Sequence, residues 1–286
     1  MAANWKGGRR ELPHVAIMRR FVAWFLAAAL AACSHGQQAS QSQSATQTAA
    51  SAPAPAPSQT PAYTDLQGIS AAPYIDELTQ LQVFWPPGGL FEPNKPVLRR
   101  EFARWLLHAD DAIWSQPPGK SIRQSNADAV PYYTDVPAQD PDFTAIQGLH
   151  EAGVVLAPGR TFSPNATITR EQALAIKAYV DCGAPDPLLA NDASQAYFEL
   201  PWRDKMQIPS GDVAAIASCM LQDAGTVAAN RLDTVERTFG NVTTLDPNRP
   251  LTRAEAAAMI WRIGQQKPDL SNFPPLSAAD AIQARS

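Results

Sequence analysis

Residues 162–172 read FSPNATITREQ, and this stretch occurs three times in the chain in variant forms. Residues 91–101 read FEPNKPVLRRE, and residues 245–255 read LDPNRPLTRAE. In each copy an apolar residue is followed by Pro two positions later, by Asn at three and by Arg at eight. Self-similarity of this kind is typical of repeated supersecondary units. We refer to the stretches at 91–101, 162–172 and 245–255 as motif copies one, two and three.

An aromatic-x-Asp triplet precedes each motif copy, at residues 63–65, 133–135 and 202–204. Apolar residues recur at helical spacing between the triplet and the motif, and they recur again after the motif Arg. Each unit is therefore predicted to be a helix, a loop and a second helix. The first helices are carried by Tyr74, Ile75, Leu78 and Leu81, by Phe143, Ile146, Leu149 and Ala152, and by Val213, Ile216, Met220 and Leu221.

No single unit has enough apolar surface to form a core alone, so we expect the three to pack together. The predicted repeats cover residues 63–115, 131–182 and 197–264. Residues 265–286 are assigned as a C-terminal tail. The stretch 225–245 is longer than its counterparts, so the third repeat is the most divergent of the three.

The triplets and motif copies resemble the S-layer homology (SLH) family over residues 63–264. The pattern of that family opens with an aromatic-x-Asp, passes through F-x-P and ends in a helix that starts with T-R-x-E. The resemblance implies a mainly α fold of three helix-loop-helix repeats, packed as a pseudo-threefold module. It also implies that the module binds peptidoglycan or another glycan of the cell wall.

The motif residues around each Arg form a helix start. Thr169 with Gln172, and Thr252 with Glu255, have the spacing of a capping box, whereas Leu98 in copy one cannot cap with its side chain. In the triplets, we expect the aromatic residue to pack and the Asp to cap the turn that follows it. These roles are structural and need no ligand.

The Arg itself is not explained by capping, because a cation at the first helical position faces the positive end of the helix dipole. The SLH resemblance implies that Arg99, Arg170 and Arg253 bind glycan in grooves between neighbouring repeats. There the guanidinium groups and helix-terminal N–H groups would hold a carboxylate, such as a pyruvyl ketal on a wall sugar. The alternative is a structural salt bridge to the Asp of a triplet, or to another nearby acid. The triplet acids are Asp65, Asp135 and Asp204.

Residues 1–32 have the pattern of a signal peptide, with a positive segment and a short apolar run, and Met18 is an alternative start. The run ends in residues 30–33, LAAC, which resembles a bacterial lipobox. In that interpretation Cys33 is lipidated and inserts acyl chains into a bilayer. An ordinary secretory signal with an incidental Cys is the alternative. Residues 33–62 are rich in Ser, Gln, Ala and Pro, which predicts a disordered tether.

The charge of the chain argues against nucleic acid as a partner. The whole sequence has a net charge of −4, and loss of residues 1–32 removes five basic side chains and one acidic one. Local Arg residues, and not overall attraction, would therefore have to capture an anionic glycan. In an exported chain Cys182 and Cys219 suggest a disulfide, with two buried thiols as the alternative.

The sequence provides little support for catalysis. His108 and His150 lack a nucleophile in a recognisable frame, the acidic pair Asp140 and Asp142 sits in loop-like sequence, and no cofactor or metal motif is found. The sequence therefore predicts an envelope lipoprotein, without enzymatic activity, that binds the wall. It would face the periplasm from the outer membrane in a two-membraned cell. The alternatives are an SLH-derived scaffold for another envelope protein and a carbohydrate-active enzyme.

Overall fold

The computed structural model describes residues 63–84, 88–115, 122–154, 156–225, 232–264 and 274–286. The predicted signal peptide, the predicted lipidation site Cys33 and the predicted tether at 33–62 lie outside these residues. All of the described residues belong to one unit, Pro57–Ser286.

The described part of the chain is mainly helical. Its first four helices are α1 (Ala72–Gln80), α2 (Arg99–Ile113), α3 (Phe143–Glu151) and α4 (Arg170–Cys182). Then follow α5 (Pro187–Asn191), α6 (Ala193–Glu199), a 3₁₀ turn (Lys205–Gln207), α7 (Ser210–Gly225) and α8 (Thr234–Phe239). The last elements are α9 (Arg253–Ile260), β1 (Arg262–Ile263), β2 (Leu276–Ser277) and α10 (Ala278–Gln283).

The second helix of each predicted repeat begins at the motif Arg, because the residues around it cap the helix. Thr252 Oγ1 accepts the Glu255 N–H at 3.3 Å, and Glu255 Oε2 accepts the Thr252 N–H at 2.9 Å. The box of copy two has the same two bonds, so both predicted capping boxes are confirmed. In copy one Leu98 has no side-chain acceptor, yet Glu101 Oε2 still accepts the Leu98 N–H at 3.0 Å. Copy one therefore retains one of the two hydrogen bonds of a capping box.

Each triplet Asp clamps the motif turn that follows it in the same repeat. Asp135 accepts the N–H groups of Phe162 and Ser163 at 2.8 and 2.7 Å. Ser163 has a φ of 57°, so the carboxylate holds a residue in the left-handed region. We expected each Asp to cap the turn that comes directly after the triplet in the sequence. That expectation is wrong, because the N–H partners of the carboxylate are 26 to 42 residues away. The equivalent bonds join Asp65 to Phe91 and Glu92, and Asp204 to Leu245 and Asp246.

The aromatic residues of the triplets pack in the core, as predicted. Tyr63, Tyr133 and Trp202 are all buried. Tyr63 contacts the Phe91 ring edge-on, with the ring centroids 5.2 Å apart. In copies one and two the triplet thus anchors the turn twice, through the aromatic ring and through the carboxylate.

The three motif copies are joined by a closed cycle of backbone hydrogen bonds. Ile168 N–H donates to Val97 O at 3.0 Å, and Leu251 N–H donates to Ile168 O at 2.9 Å. The cycle closes because Val97 N–H donates to Leu251 O at 2.9 Å. These three residues occupy the same motif position and are fully buried. Isolated β-bridges follow the same order, joining Leu98 to Thr167, Thr169 to Pro250 and Thr252 to Pro96.

A disulfide joins Cys182, at the end of α4, to Cys219 in α7, with the Cα atoms 5.5 Å apart. It ties the second helix of repeat two to the first helix of repeat three, and α4 packs along α7. Helices α5 and α6, which the sequence analysis did not assign, also pack on α7.

The C-terminal tail contains two elements that the sequence analysis did not assign. β2 pairs antiparallel with β1, and α10 packs against α1 and α2. Ser277 and Asp280 form a capping box at the start of α10, which is the sequence signal that could have indicated this helix.

Candidate functional site: three arginine junctions

Each motif Arg extends from the start of its helix to the next motif copy in the cycle. The Arg99 guanidinium donates from Nε to Phe162 O at 2.7 Å and from Nη2 to Leu156 O at 2.6 Å. Its Nη1 donates to Gln172 Oε1 at 2.8 Å. We call the contact of Arg99 with Phe162 and Gln172 junction one.

Junction two consists of Arg170, Leu245 and Glu255. Arg170 Nη1 donates to Leu245 O at 2.8 Å, and Nη2 forms an ion pair with Glu255 Oε1 at 2.6 Å. The guanidinium carbon lies 4.4 Å from the ring centroid of Phe239, which belongs to α8. The Arg of copy two is therefore neutralised by an acid of copy three.

Junction three consists of Arg253, Phe91 and Glu101, and it closes the cycle. Arg253 Nη1 lies 3.2 Å from Glu101 Oε1. Its guanidinium lies over the ring of Phe91 at 5.0 Å and over that of Trp105 at 4.9 Å. All three Arg residues thus contact a side chain at the third position of the following motif helix.

The helix-terminal N–H groups do not fit the predicted role of anion donors. The Arg99 N–H donates to Ala166 O at 2.9 Å, and the Arg100 N–H donates to Pro164 O at 3.1 Å. The first two N–H groups of α4 and α9 are bonded to turn carbonyls in the same way. The expectation that these groups hold a ligand carboxylate is wrong, because the next motif copy already occupies them.

Burial differs among the three predicted glycan-binding residues. Arg99 and Arg170 are 7% and 6% exposed, whereas the side chain of Arg253 is 17% exposed. The sequence analysis offered a structural salt bridge as the alternative to glycan binding. Arg170 and Arg253 each form such a salt bridge, with Glu255 and Glu101. In the described part of the chain, Arg99 has no carboxylate within 4 Å.

A pair of carboxyl groups lies near junction one. Glu171 is buried, and Thr169 Oγ1 donates to its Oε1 at 2.9 Å. Burial and the nearby charge of Asp212, on α7, raise the pKa of Glu171 to about 7. Burial also raises the pKa of Asp212. Because Glu171 retains its proton up to near neutral pH, it does not fully offset the charge of Arg99 there.

The residues considered for catalysis have structural surroundings. His150 stacks on Tyr132, with the ring centroids 3.7 Å apart. Asp140 and Asp142 form ion pairs with Arg100 and Arg104 of α2, a link between repeats that the sequence analysis missed. Burial, followed by the Arg104 charge, lowers the pKa of His108. In the described residues no group of His, Cys, Asp and Glu could hold a metal ion.

The chain matches the family model of the S-layer homology domain at residues 62–103 and 132–174. These segments contain the first two triplets and motif copies one and two. SLH domains are cell-wall binding modules that generally bind wall glycans or peptidoglycan, which associates the chain with the cell envelope. No curated protein shows significant similarity to the chain. Within the described residues, no helix has the length and apolar character required to cross a membrane.

Proposed function

We propose that the protein is a lipid-anchored envelope protein whose three SLH-like repeats bind peptidoglycan or a wall-linked glycan. It tethers membrane to wall and performs no chemistry of its own. The observation that carries this proposal is the cycle of motif copies with one Arg at each junction, combined with the SLH match. The same cycle supports a pseudo-threefold packing of the repeats at 63–115, 131–182 and 197–264.

The proposed glycan site is the set of guanidinium groups of Arg99, Arg170 and Arg253. A guanidinium holds a carboxylate or another anionic group through two parallel hydrogen bonds, which gives geometric specificity as well as affinity. The net charge of the whole chain is −4, so recognition depends on these local cations.

The proposed anchor is Cys33 with its acyl chains, followed by the tether at 33–62. Stable attachment to a bilayer requires more than one acyl chain, because a single chain gives only reversible binding. Fully extended, the 30 residues of the tether would span roughly 100 Å. That reach allows a module anchored in one layer of the envelope to bind another, and in a two-membraned cell the anchor lies in the outer membrane.

Co-sedimentation with purified sacculi tests the proposal. The wild-type chain should pellet with sacculi, and the Arg99→Ala/Arg170→Ala variant should bind at least about ten-fold more weakly, because a charge-assisted hydrogen bond contributes about 1.5–3 kcal/mol. Melting temperature is measured on the same samples. A folded double variant that binds like the wild type would contradict the glycan site. Cys33→Ser should release the protein from membranes, and normal acylation of that variant would contradict the anchor.

A protein-interaction scaffold is the second candidate function, and exposed apolar side chains support it. Leu188, Phe198 and Met206 are each at least 70% exposed, and they lie on α5, α6 and the 3₁₀ turn, the elements that come before α7. Such side chains are common at protein interfaces. If sacculi do not bind the chain, cross-linking in cells should identify a partner at this surface.

A further inference from the structure

The described residues of α4, α7 and the start of α8 surround a cavity of about 200 Å³, which lies apart from the residues of the three Arg junctions. Most of its wall is apolar. The apolar side chains come from all three segments and are Leu174, Ala178, Ile216, Met220, Leu232 and Val235. An apolar cavity of about 150 Å³ can hold a benzene ring, so this one has room for a ring with a short substituent.

The cavity exists because α4 and α7 meet through small residues. The buried side chains beside it form a cluster separate from the main core, and this cluster includes Ala178 and Ala215. The disulfide between Cys182 and Cys219 joins the same two helices, and Cys219 itself lines the cavity. Two walls of the cavity are thus covalently linked before any ligand binds. A preformed site loses little conformational freedom on binding, which favours affinity.

The charged groups of the wall determine which ligand end fits. Lys177 is buried, forms an ion pair with Asp181 and donates to Arg262 O at 2.9 Å, so its charge is already offset within the protein. Two further carboxylates, of Asp233 and Glu236, line the cavity at the start of α8, and Glu236 is exposed. The lining therefore has three carboxylates and one ammonium. This excess of negative charge favours a cation and disfavours an anion.

Arg237, the other cation near the start of α8, has a structural role. Its Nε donates to Ala258 O at 2.7 Å, and its Nη1 donates to Leu232 O. Burial, the largest cause, lowers the pKa of Arg237. The guanidinium thus holds α8 against α9, and the carboxylate of Glu236 remains at the mouth of the cavity.

We propose that this cavity binds a small molecule that combines a compact apolar group, about the size of a phenyl ring, with a cationic amine. The apolar group lies between α4 and α7, against Ala178 and Met220. The amine lies at the mouth, beside the carboxylate of Glu236. This activity goes beyond the proposed wall binding, because it uses none of the motif Arg residues.

Three soluble probes with one aromatic ring each test the proposal: benzylamine, benzyl alcohol and benzoate. Each is titrated into the intact, disulfide-bonded protein, and the shifts of backbone amide resonances give the dissociation constant. Benzylamine should shift amides of α4, α7 and α8 and bind at least about ten-fold more tightly than benzoate, with benzyl alcohol between them. Equal affinity for all three would overturn the assignment of an amine, and absence of binding by any probe would overturn the site.

Filling the cavity tests where the ring lies. Ala178→Met introduces a flexible apolar side chain, so it should abolish benzylamine binding without a fall in melting temperature. Val235→Phe fills the same space from the partly exposed side of α8, and it replaces Ala178→Met if that variant does not fold. Full benzylamine binding by a folded filled variant would overturn the location. Sacculus binding should not change in either variant, so failure of this proposal is distinguishable from failure of the proposed function.

Glu236→Gln tests the position of the amine. It should weaken benzylamine binding about two- to five-fold and leave benzyl alcohol binding unchanged, because an exposed ion pair contributes modestly and only the amine is charged. Glu199→Gln is the matched control, since Glu199 lies on the short helix α6 and bonds Gln195. It should bind both probes like the wild type. Unchanged benzylamine binding in Glu236→Gln, or equal weakening of both probes, would overturn the pairing of the amine with Glu236.

Discussion

Motif copies two and three have the same backbone frame but differ in the side chain that opens the turn. That residue is Phe162 in copy two and Leu245 in copy three, and both receive the same carboxylate clamp from their triplet. Arg99 lies 5.0 Å from the Phe162 ring, whereas the ring beside Arg170 is that of Phe239. The clamp and the backbone cycle therefore maintain the turn independently of the aromatic side chain.

The extra length of repeat three explains how the aromatic contact survives. Phe239 is the last residue of α8, within the stretch 225–245 that is longer than its counterparts. The Phe239 ring takes the place of the aromatic ring that copy three lacks, because Leu245 stands where copy two has Phe162. The SLH family model matches copies one and two only. Copy three, which has no match, keeps the backbone contacts of the other two copies but differs from them in its side chains.

The largest effect is expected from removal of copy three. A chain that ends at residue 183 lacks Leu251, the partner of both Val97 and Ile168, and it lacks the acceptors of Arg170. We expect such a fragment not to fold cooperatively, as judged by circular dichroism during thermal unfolding. A two-state transition near the midpoint of the complete chain would mean that the copies are independent domains.

The two aromatic rings should differ in their contribution to stability. Phe162 is 1% exposed, so Phe162→Ala should cost about 3–5 kcal/mol of unfolding free energy. Phe239 is only partly buried, at the edge of the core and 4.4 Å from the Arg170 guanidinium, so Phe239→Ala should cost about 1–2 kcal/mol. Urea titration measures both variants. Equal losses would show that the ring from α8 is as important to the core as the ring in the turn.

The frame of each copy was largely predictable from the sequence, whereas the links between copies were not. The helix starts at Arg99, Arg170 and Arg253 follow from local capping chemistry, which acts over three residues. The clamp between Asp204 and Leu245 joins residues 41 positions apart, and no local pattern indicates it. Similarly, Glu255 is recognisable as a capping residue, but its second bond, to Arg170, depends on a contact between copies.

The added elements were missed for a different reason. Helices α5, α6, α8 and α10 have five to seven residues each, too short for a hydrophobic period to be distinguished from chance. Their positions depend on packing against longer helices, as in the contact of α6 with α7. The role of Phe239 could therefore not be read from its place in the sequence.

The disulfide between Cys182 and Cys219 joins repeats two and three, so its loss should weaken the contact between these two repeats. By loop-closure entropy, removing a bridge across 37 residues should cost roughly 3–4 kcal/mol. Cys182→Ala/Cys219→Ala is compared with the wild type by urea unfolding, with the reduced wild type as a control. An unchanged midpoint in the double variant would show that the packing of α4 on α7 holds these helices together without the covalent link.

The smallest expected effect is a dependence of the unfolding free energy on pH, which arises at the contact of α4 with α7. Glu171 of α4 has a pKa of about 7 in the folded protein, because it is buried and lies near Asp212 of α7, whose pKa is also raised by burial. In the unfolded chain a Glu titrates near pH 4.3, so the folded state binds more protons between about pH 4.3 and 7. The stabilisation that this bound proton contributes is complete below about pH 4.3 and is lost as the pH rises through about 7.

Glu171→Gln should remove most of this dependence and make the variant more stable than the wild type at pH 8, by about 1–2 kcal/mol. Asp110 of α2 is a second buried carboxyl with a pKa of about 7, raised by burial and lowered in part by its bond from the Ile122 N–H. It titrates in the same direction, so Asp110→Asn is the matched comparison, and the double variant should have the flattest profile. Urea midpoints between pH 5 and 8 measure the slopes. If Glu171→Gln retains the full wild-type slope, the carboxyl pair between α4 and α7 does not cause it.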